Sequence, residues 1–207
     1  MRASSFAPLL LFGLLLAGSS GTRNELAPTM PTTLPGGPGK EVPRVLTGGQ
    51  PLGEWFGPRF ALALEVLRPN VAAGKLTDAA LSVVAQWAHE TGRGKSEFNF
   101  NLGGWRARKK DPYFVARDVQ TGAELFRWTA YADLPNAVHD QLKRLHDTFP
   151  SAWTLLVSEP HTSRWIEELG KRGYYVAPPG RTKEQHIRAY VAAWGANRAE
   201  LGGGRPV

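Results

Sequence analysis

The 207-residue chain contains no cysteine. That absence removes disulfides, cysteine-based zinc sites, thiol nucleophiles and lipid attachment at a lipobox, and it suits an oxidising compartment where stray thiols are a liability. Histidine is sparse: the five residues are scattered with no paired ligand spacing, so neither a metal nor another cofactor is expected. No stretch interleaves aromatic and basic residues as a nucleic-acid motif does. The chain carries no internal repeat, and its longest apolar run, Phe6–Ala17, is shorter than the ~20 residues that span a bilayer.

What is present is positive charge. With 25 Lys+Arg against 18 Asp+Glu the net charge is +7, which favours a polyanionic partner such as nucleic acid, anionic lipid or bacterial wall polymer. Charge alone does not choose among them, and no nucleic-acid partner is expected without a motif. The length suits one domain with a real core plus appendages.

Met1–Ser20 has one Arg near its start, the apolar run, then small residues. This is the layout of a signal peptide (residues 1–20), with no stable membrane insertion once it is cleaved; an uncleaved signal-anchor is the alternative. Residues 21–51 carry Pro28, Pro31, Pro35, Pro38 and Pro43 among glycines and read as a disordered or extended linker, or as a segment wrapped on a partner. The folded domain is expected over 52–198. Phe60, Leu62, Leu64, Val66 and Leu67 suggest a first helix before Pro69. Thr77–Glu90 follows as a second, capped by Thr77 or Asp78. Asn99, Asn101, Gly103 and Gly104 mark irregular backbone, and Tyr113–Val119 with Glu124–Tyr131 read as a hairpin. Helical spacing then returns from Asp133, a cap, to Phe149, again around Trp165–Leu169, and after the capping box that opens at Thr182. Residues 199–207 read as a flexible tail. The order gives an α+β class: a mainly helical domain with a small β-hairpin lobe.

Glu90 lies in the last turn of the second helix, whose Leu81, Val84, Ala85 and Ala88 share one face. There it meets the negative end of the helix dipole, and enclosure by apolar side chains would add a second reason to keep its proton. A general acid working near neutral pH needs that property. Most helical Glu residues are nonetheless solvated, so the helix pattern by itself favours a surface residue.

AQWAHETGRGKS, then NFNLGGW, a hairpin, WTAYADLPNAV and LGKRGYYVAP together resemble the flagellar-type N-acetylglucosaminidase domain, glycoside hydrolase family 73 of the lysozyme-like superfamily. The resemblance covers roughly residues 60–194. It implies a lysozyme-like fold with Glu90 as the acid that protonates the glycosidic oxygen. Asn101, Gly104 and Trp105 match a family turn and are expected to line the substrate, with Tyr131 at the lobe junction. Tyr174 matches a tyrosine beside the scissile bond. Asp118 is the candidate second catalytic carboxylate: it stands where the family often has a T-x-E near the hairpin turn whose carboxylate helps hold or activate water, although the Thr and Glu are both absent here. An aromatic beside a pyranose covers apolar C–H surface while a hydroxyl hydrogen-bonds.

Two positions depart from the family pattern. His89 replaces a small or aliphatic residue, and Arg93 replaces a common Trp; an Arg aimed into the cleft would favour the ionised form of Glu90 and oppose its role. The resemblance implies an exported peptidoglycan hydrolase, periplasmic or extracellular, that cuts the β-1,4 glycan strand through an oxocarbenium-like centre. Its partners would be that strand and an envelope-spanning or phage assembly. A lytic transglycosylase, or a non-catalytic wall-binding protein on the same fold, are the alternatives.

Overall fold

The computed structural model describes residues 39–118 and 120–202. The expected signal peptide, most of the expected linker and residues 203–207 lie outside them. The described chain is an α+β domain of six helices and one two-stranded antiparallel hairpin: α1 Leu52–Leu67, α2 Ala73–Glu90, β1 Tyr113–Arg117, β2 Glu124–Thr129, α3 Leu134–Thr148, α4 Pro150–Ser158, α5 Arg164–Lys171 and α6 Lys183–Leu201. None of these helices is long and apolar enough to cross a membrane.

The helical body is built around α2, which packs on α1, α4 and α6. From Ala79 to Ala88 every residue but the half-buried Leu81 is buried, so this helix is enclosed on nearly all sides rather than laid on a surface. Trp55, Trp165 and Trp194 are the largest side chains sealed around it; each removes roughly 200 Å² from water, a transfer gain of about 5 kcal/mol. The helix begins four residues earlier than its capping signals suggest. Ala72 is the N-cap and makes no side-chain cap, and Asp78 instead accepts from Arg198 Nη2 at 2.8 Å. Arg198 is buried and its Nε also donates to Ser82 Oγ, and α6 runs on to Leu201, three residues into the expected tail.

The local capping signals further along are realised. Asp133 accepts from Asn136 N at the start of α3, and Thr182 with Gln185 forms a capping box on α6. Helix α4 has no counterpart in the sequence reading, because its nine residues are too short for a helical period to stand out.

The hairpin pairs Tyr113 with Thr129 and Phe114 with Trp128, with a bulge between Ala116 and Arg117. It carries a small core of its own, Val42, Phe114 and Ala130, with Phe98 and Trp128 packed against it. Val42 comes from the expected linker. Residues 40–49 are a strap rather than a linker: Val42 N donates to Tyr113 O, Asn99 N to Val45 O, and Thr47 N to Glu97 O. Proline and glycine had suggested a chain with nothing to bury; an unpaired hairpin edge supplies the missing partner.

Two ion networks, one buried and one partly buried, join the parts. Glu97, fully buried, accepts from Trp55 Nε1 at 2.7 Å and pairs with Arg59 at 2.5 Å, while Thr47 Oγ1 donates to it from the strap. On the other side Arg144 of α3 pairs with Asp140 and Asp111, both at 2.6 Å. Tyr131 donates to Asp140 at 2.8 Å, which pins the end of the hairpin to α3.

Candidate active site

Helix α2 ends at Glu90 against the seam between helical body and hairpin lobe. A cleft of about 250 Å³ opens there, lined by Glu90, Asn101, Gly104 and Ser96 on one side. Phe98, Phe114, Ala116 and Trp128 of the lobe, and Arg44 of the strap, complete the lining.

The Glu90 carboxyl is held from behind. Tyr190 of α6 donates a short hydrogen bond to Oε1. Gln86, one turn back on α2, donates from Nε2 to Tyr174 Oη at 3.0 Å and to Tyr190 Oη at 3.2 Å, and lies 3.5 Å from Glu90 Oε1. Tyr174 passes the chain on, donating to Gly103 O at 2.6 Å. Oxygen Oε2 is left toward Gly104, where a β-carbon would stand 3.5 Å from it. Gly104 has φ +61, a conformation glycine adopts without strain, so the turn brings bare backbone up to the carboxyl.

Burial pushes the Glu90 pKa up to about 7, and the hydrogen bonds from Tyr190 and Gln86 pull in the opposite direction without cancelling it. The same enclosure, reinforced by Glu90, holds Tyr190 and Tyr174 well above the usual phenol range, so both remain protonated donors. His89 faces away onto the Tyr190 ring, 4.2 Å between centroids, and burial followed by nearby His186 lowers its pKa. Arg93, in the left-handed region at φ +60, turns toward α6. Its Nε donates to Asn197 and its guanidinium pairs with Glu200 at 2.6 Å. The departure that threatened the acid is therefore neutralised by a partner on another helix.

Compared with protein-family models, curated proteins and solved structures, the chain finds no match.

Of the residues singled out from the sequence, Glu90, Asn101 and Gly104 meet at the cleft. Asn101 spends its amide on the wall itself, accepting from Trp105 N and donating to Trp105 O and Thr129 O. Tyr174 sits behind Glu90, its ring packed edge-on to Trp105 and Phe149, and supports the acid through Gln86. Trp105 belongs to that aromatic packing behind the acid rather than to the cleft lining. Tyr131 is buried at the lobe junction on Asp140. Asp118 is not brought to the cleft. Its Oδ1 accepts from Gln120 N, Thr121 N and Thr121 Oγ1, which stabilises the hairpin turn and lowers its pKa.

Tyr190, Arg44, Phe98 and Phe114 went unremarked as site residues. Gln86 had a local signal, since positions four apart share a helix face. Tyr190 had none: it is separated from Glu90 by one hundred positions. Among the described residues no group of three His, Asp or Glu is placed to hold a metal ion.

Proposed function

We propose that this protein cleaves the β-1,4 glycan strand of peptidoglycan, with Glu90 as the general acid and a lysozyme-like division into helical body and hairpin lobe. The observation that carries the reading is Glu90 itself: a carboxyl with its pKa raised to about 7, fixed through Oε1 by Tyr190, with Oε2 toward a cleft walled by Phe98, Phe114 and Trp128. Aromatic faces suit the apolar C–H faces of pyranose rings. At neutral pH a large share of such a carboxyl is protonated, and it can hand its proton to the glycosidic oxygen as the C1–O bond breaks.

Glu90 is the only carboxylate among the described residues lining the cleft. This favours, as a second reading, a step whose nucleophile comes from the substrate. In a lytic transglycosylase the C6 hydroxyl attacks C1, the ionised Glu90 takes that hydroxyl proton, and a 1,6-anhydro end forms without consuming water. Hydrolysis would instead add water across the bond and leave a reducing end. The proposed setting is the bacterial wall outside the cytoplasm, opened locally for an appendage, secretion apparatus or phage.

The test is digestion of purified peptidoglycan by wild type and Glu90→Gln, with mass spectrometry of the released fragments. Reducing ends from wild type alone support the hydrolase, and 1,6-anhydro ends support the transglycosylase. Absence of release by both proteins, with binding retained, would identify a non-catalytic wall-binding protein and overturn the enzymatic reading.

A further inference from the structure

Among the described residues Arg44 is the one cationic residue lining the cleft, and it comes from the strap. Its backbone is clamped on both sides: Asn99 Nδ2 donates to Pro43 O at 3.0 Å and Val45 N donates to Asn99 Oδ1 at 2.9 Å. Its guanidinium lies 3.7 Å over the Phe98 ring, a contact that orients the planar group and leaves its edge N–H donors free. Among the described residues no carboxylate pairs with it, whereas Arg59, Arg93, Arg144 and Arg198 each hold one. Nearby Arg106 lies over Phe126 and Trp128 and also has no acidic partner among the described residues. A guanidinium stacked on an aromatic ring in the lining of the cleft, with no carboxylate partner among the described residues, is complementary to a carboxylate on the bound molecule.

We propose that Arg44 is a specificity-determining residue that binds a carboxylate carried by a substituent of the glycan, so that the strap is part of the substrate site. This rests on the glycan-cleaving reading above. Two sources of that carboxylate exist on such strands: the lactyl ether group, free where the peptide has been removed, and the carboxylates of the peptide stems. An uncharged N-acetylglucosamine oligomer offers neither.

The experiment measures kcat/KM of wild type, Arg44→Gln and Arg44→Lys on stem-bearing strands, peptide-stripped strands and β-1,4 N-acetylglucosamine oligomers. Arg181→Gln, an exposed arginine outside the cleft, controls for loss of overall charge. The expected result is a fall of about tenfold in the charged-to-neutral ratio for Arg44→Gln, carried by KM, with partial recovery in Arg44→Lys. A fall on stripped strands alone assigns the lactyl carboxylate, and a fall on stem-bearing strands alone assigns the stems. An unchanged ratio on both, or an equal fall in Arg181→Gln, overturns the proposal. If wild type cleaves none of the three glycans, the same ratio is read from Kd by titration of tryptophan fluorescence. Loss of charged-over-neutral preference on Arg44→Gln then upholds the carboxylate site while the catalytic reading falls; no preference in wild type, or no binding, overturns both.

Discussion

Tyr190 on α6 donates a hydrogen bond to Oε1 of Glu90 at the end of α2, so the packing of α6 on the central helix also bears on the charge state of that carboxyl. That bond favours the ionised carboxylate and opposes the larger effect of burial. Replacing Tyr190 with Phe therefore raises the Glu90 pKa further. The limb on which glycan-cleaving activity falls with rising pH should move to higher pH, at a cost of about 1 kcal/mol in stability from the lost hydrogen bond. A pH–rate profile with a limb that stays fixed or moves to lower pH would contradict this.

Glu90 also makes stability depend on pH, with a sign opposite to that of most carboxylates. Its pKa is about 7 when folded against an ordinary value of 4.5. Below the lower value both states hold the proton and no penalty exists. Between the two the unfolded chain ionises first, so stability falls as pH rises, by roughly 3 kcal/mol once pH exceeds the folded value. Glu90→Gln, which still accepts from Tyr190, should melt roughly 5 °C or more above wild type at pH 8 and converge with it near pH 4. Thermal scans across that range check the crossover.

Gly104 is the position where a single methyl group should act on the chemistry. Alanine there must adopt φ +61 and places its β-carbon 3.5 Å from Glu90 Oε2. The backbone strain costs about 1 kcal/mol, while a methyl group in van der Waals contact with Oε2 takes up space that an oxygen of the bound molecule would need to reach it, which should cut kcat/KM about 100-fold. A loss of stability without a loss of activity would show that the turn does not face the reaction.

The buried Glu97 should matter for folding rather than turnover. Glu97→Gln leaves Arg59 charged and buried without its counter-ion, a change that costs about 3–5 kcal/mol. Urea unfolding should show the midpoint falling accordingly. The loss also loosens Thr47, so the strap becomes more open to proteolysis.

Asp118→Ala removes the acceptor of the hairpin turn. Expected is a loss of about 1 kcal/mol, with the rate of glycan cleavage within about twofold of wild type, since a 1.4 kcal/mol change in a barrier is already tenfold. A fall of two orders of magnitude in rate, with the fold intact, would restore Asp118 as a second carboxylate.

Features governed by neighbours in the chain were legible from the residues alone. The α+β class, the placement of Glu90 in a last helical turn, the hairpin, the Asp133 cap and the Thr182–Gln185 capping box all depend on contacts within a few positions, and such contacts leave a local pattern. The start of α2 and the short α4 were not legible, because tertiary burial rather than capping or periodicity decides them. Nor could the pattern tell a solvated Glu90 from an enclosed one. That difference is made by Tyr190, by the Gly103–Gly104 turn and by the lobe closing over the end of α2, each brought there from a distant part of the chain. The same holds for Arg93, whose charge the sequence placed beside the acid and the fold directs to Glu200. It holds too for residues 40–49, which lack a core of their own and gain structure only against the hairpin edge and Asn99. Local sequence determined which side chains were at hand; burial and long-range hydrogen bonding decided which of them share a proton.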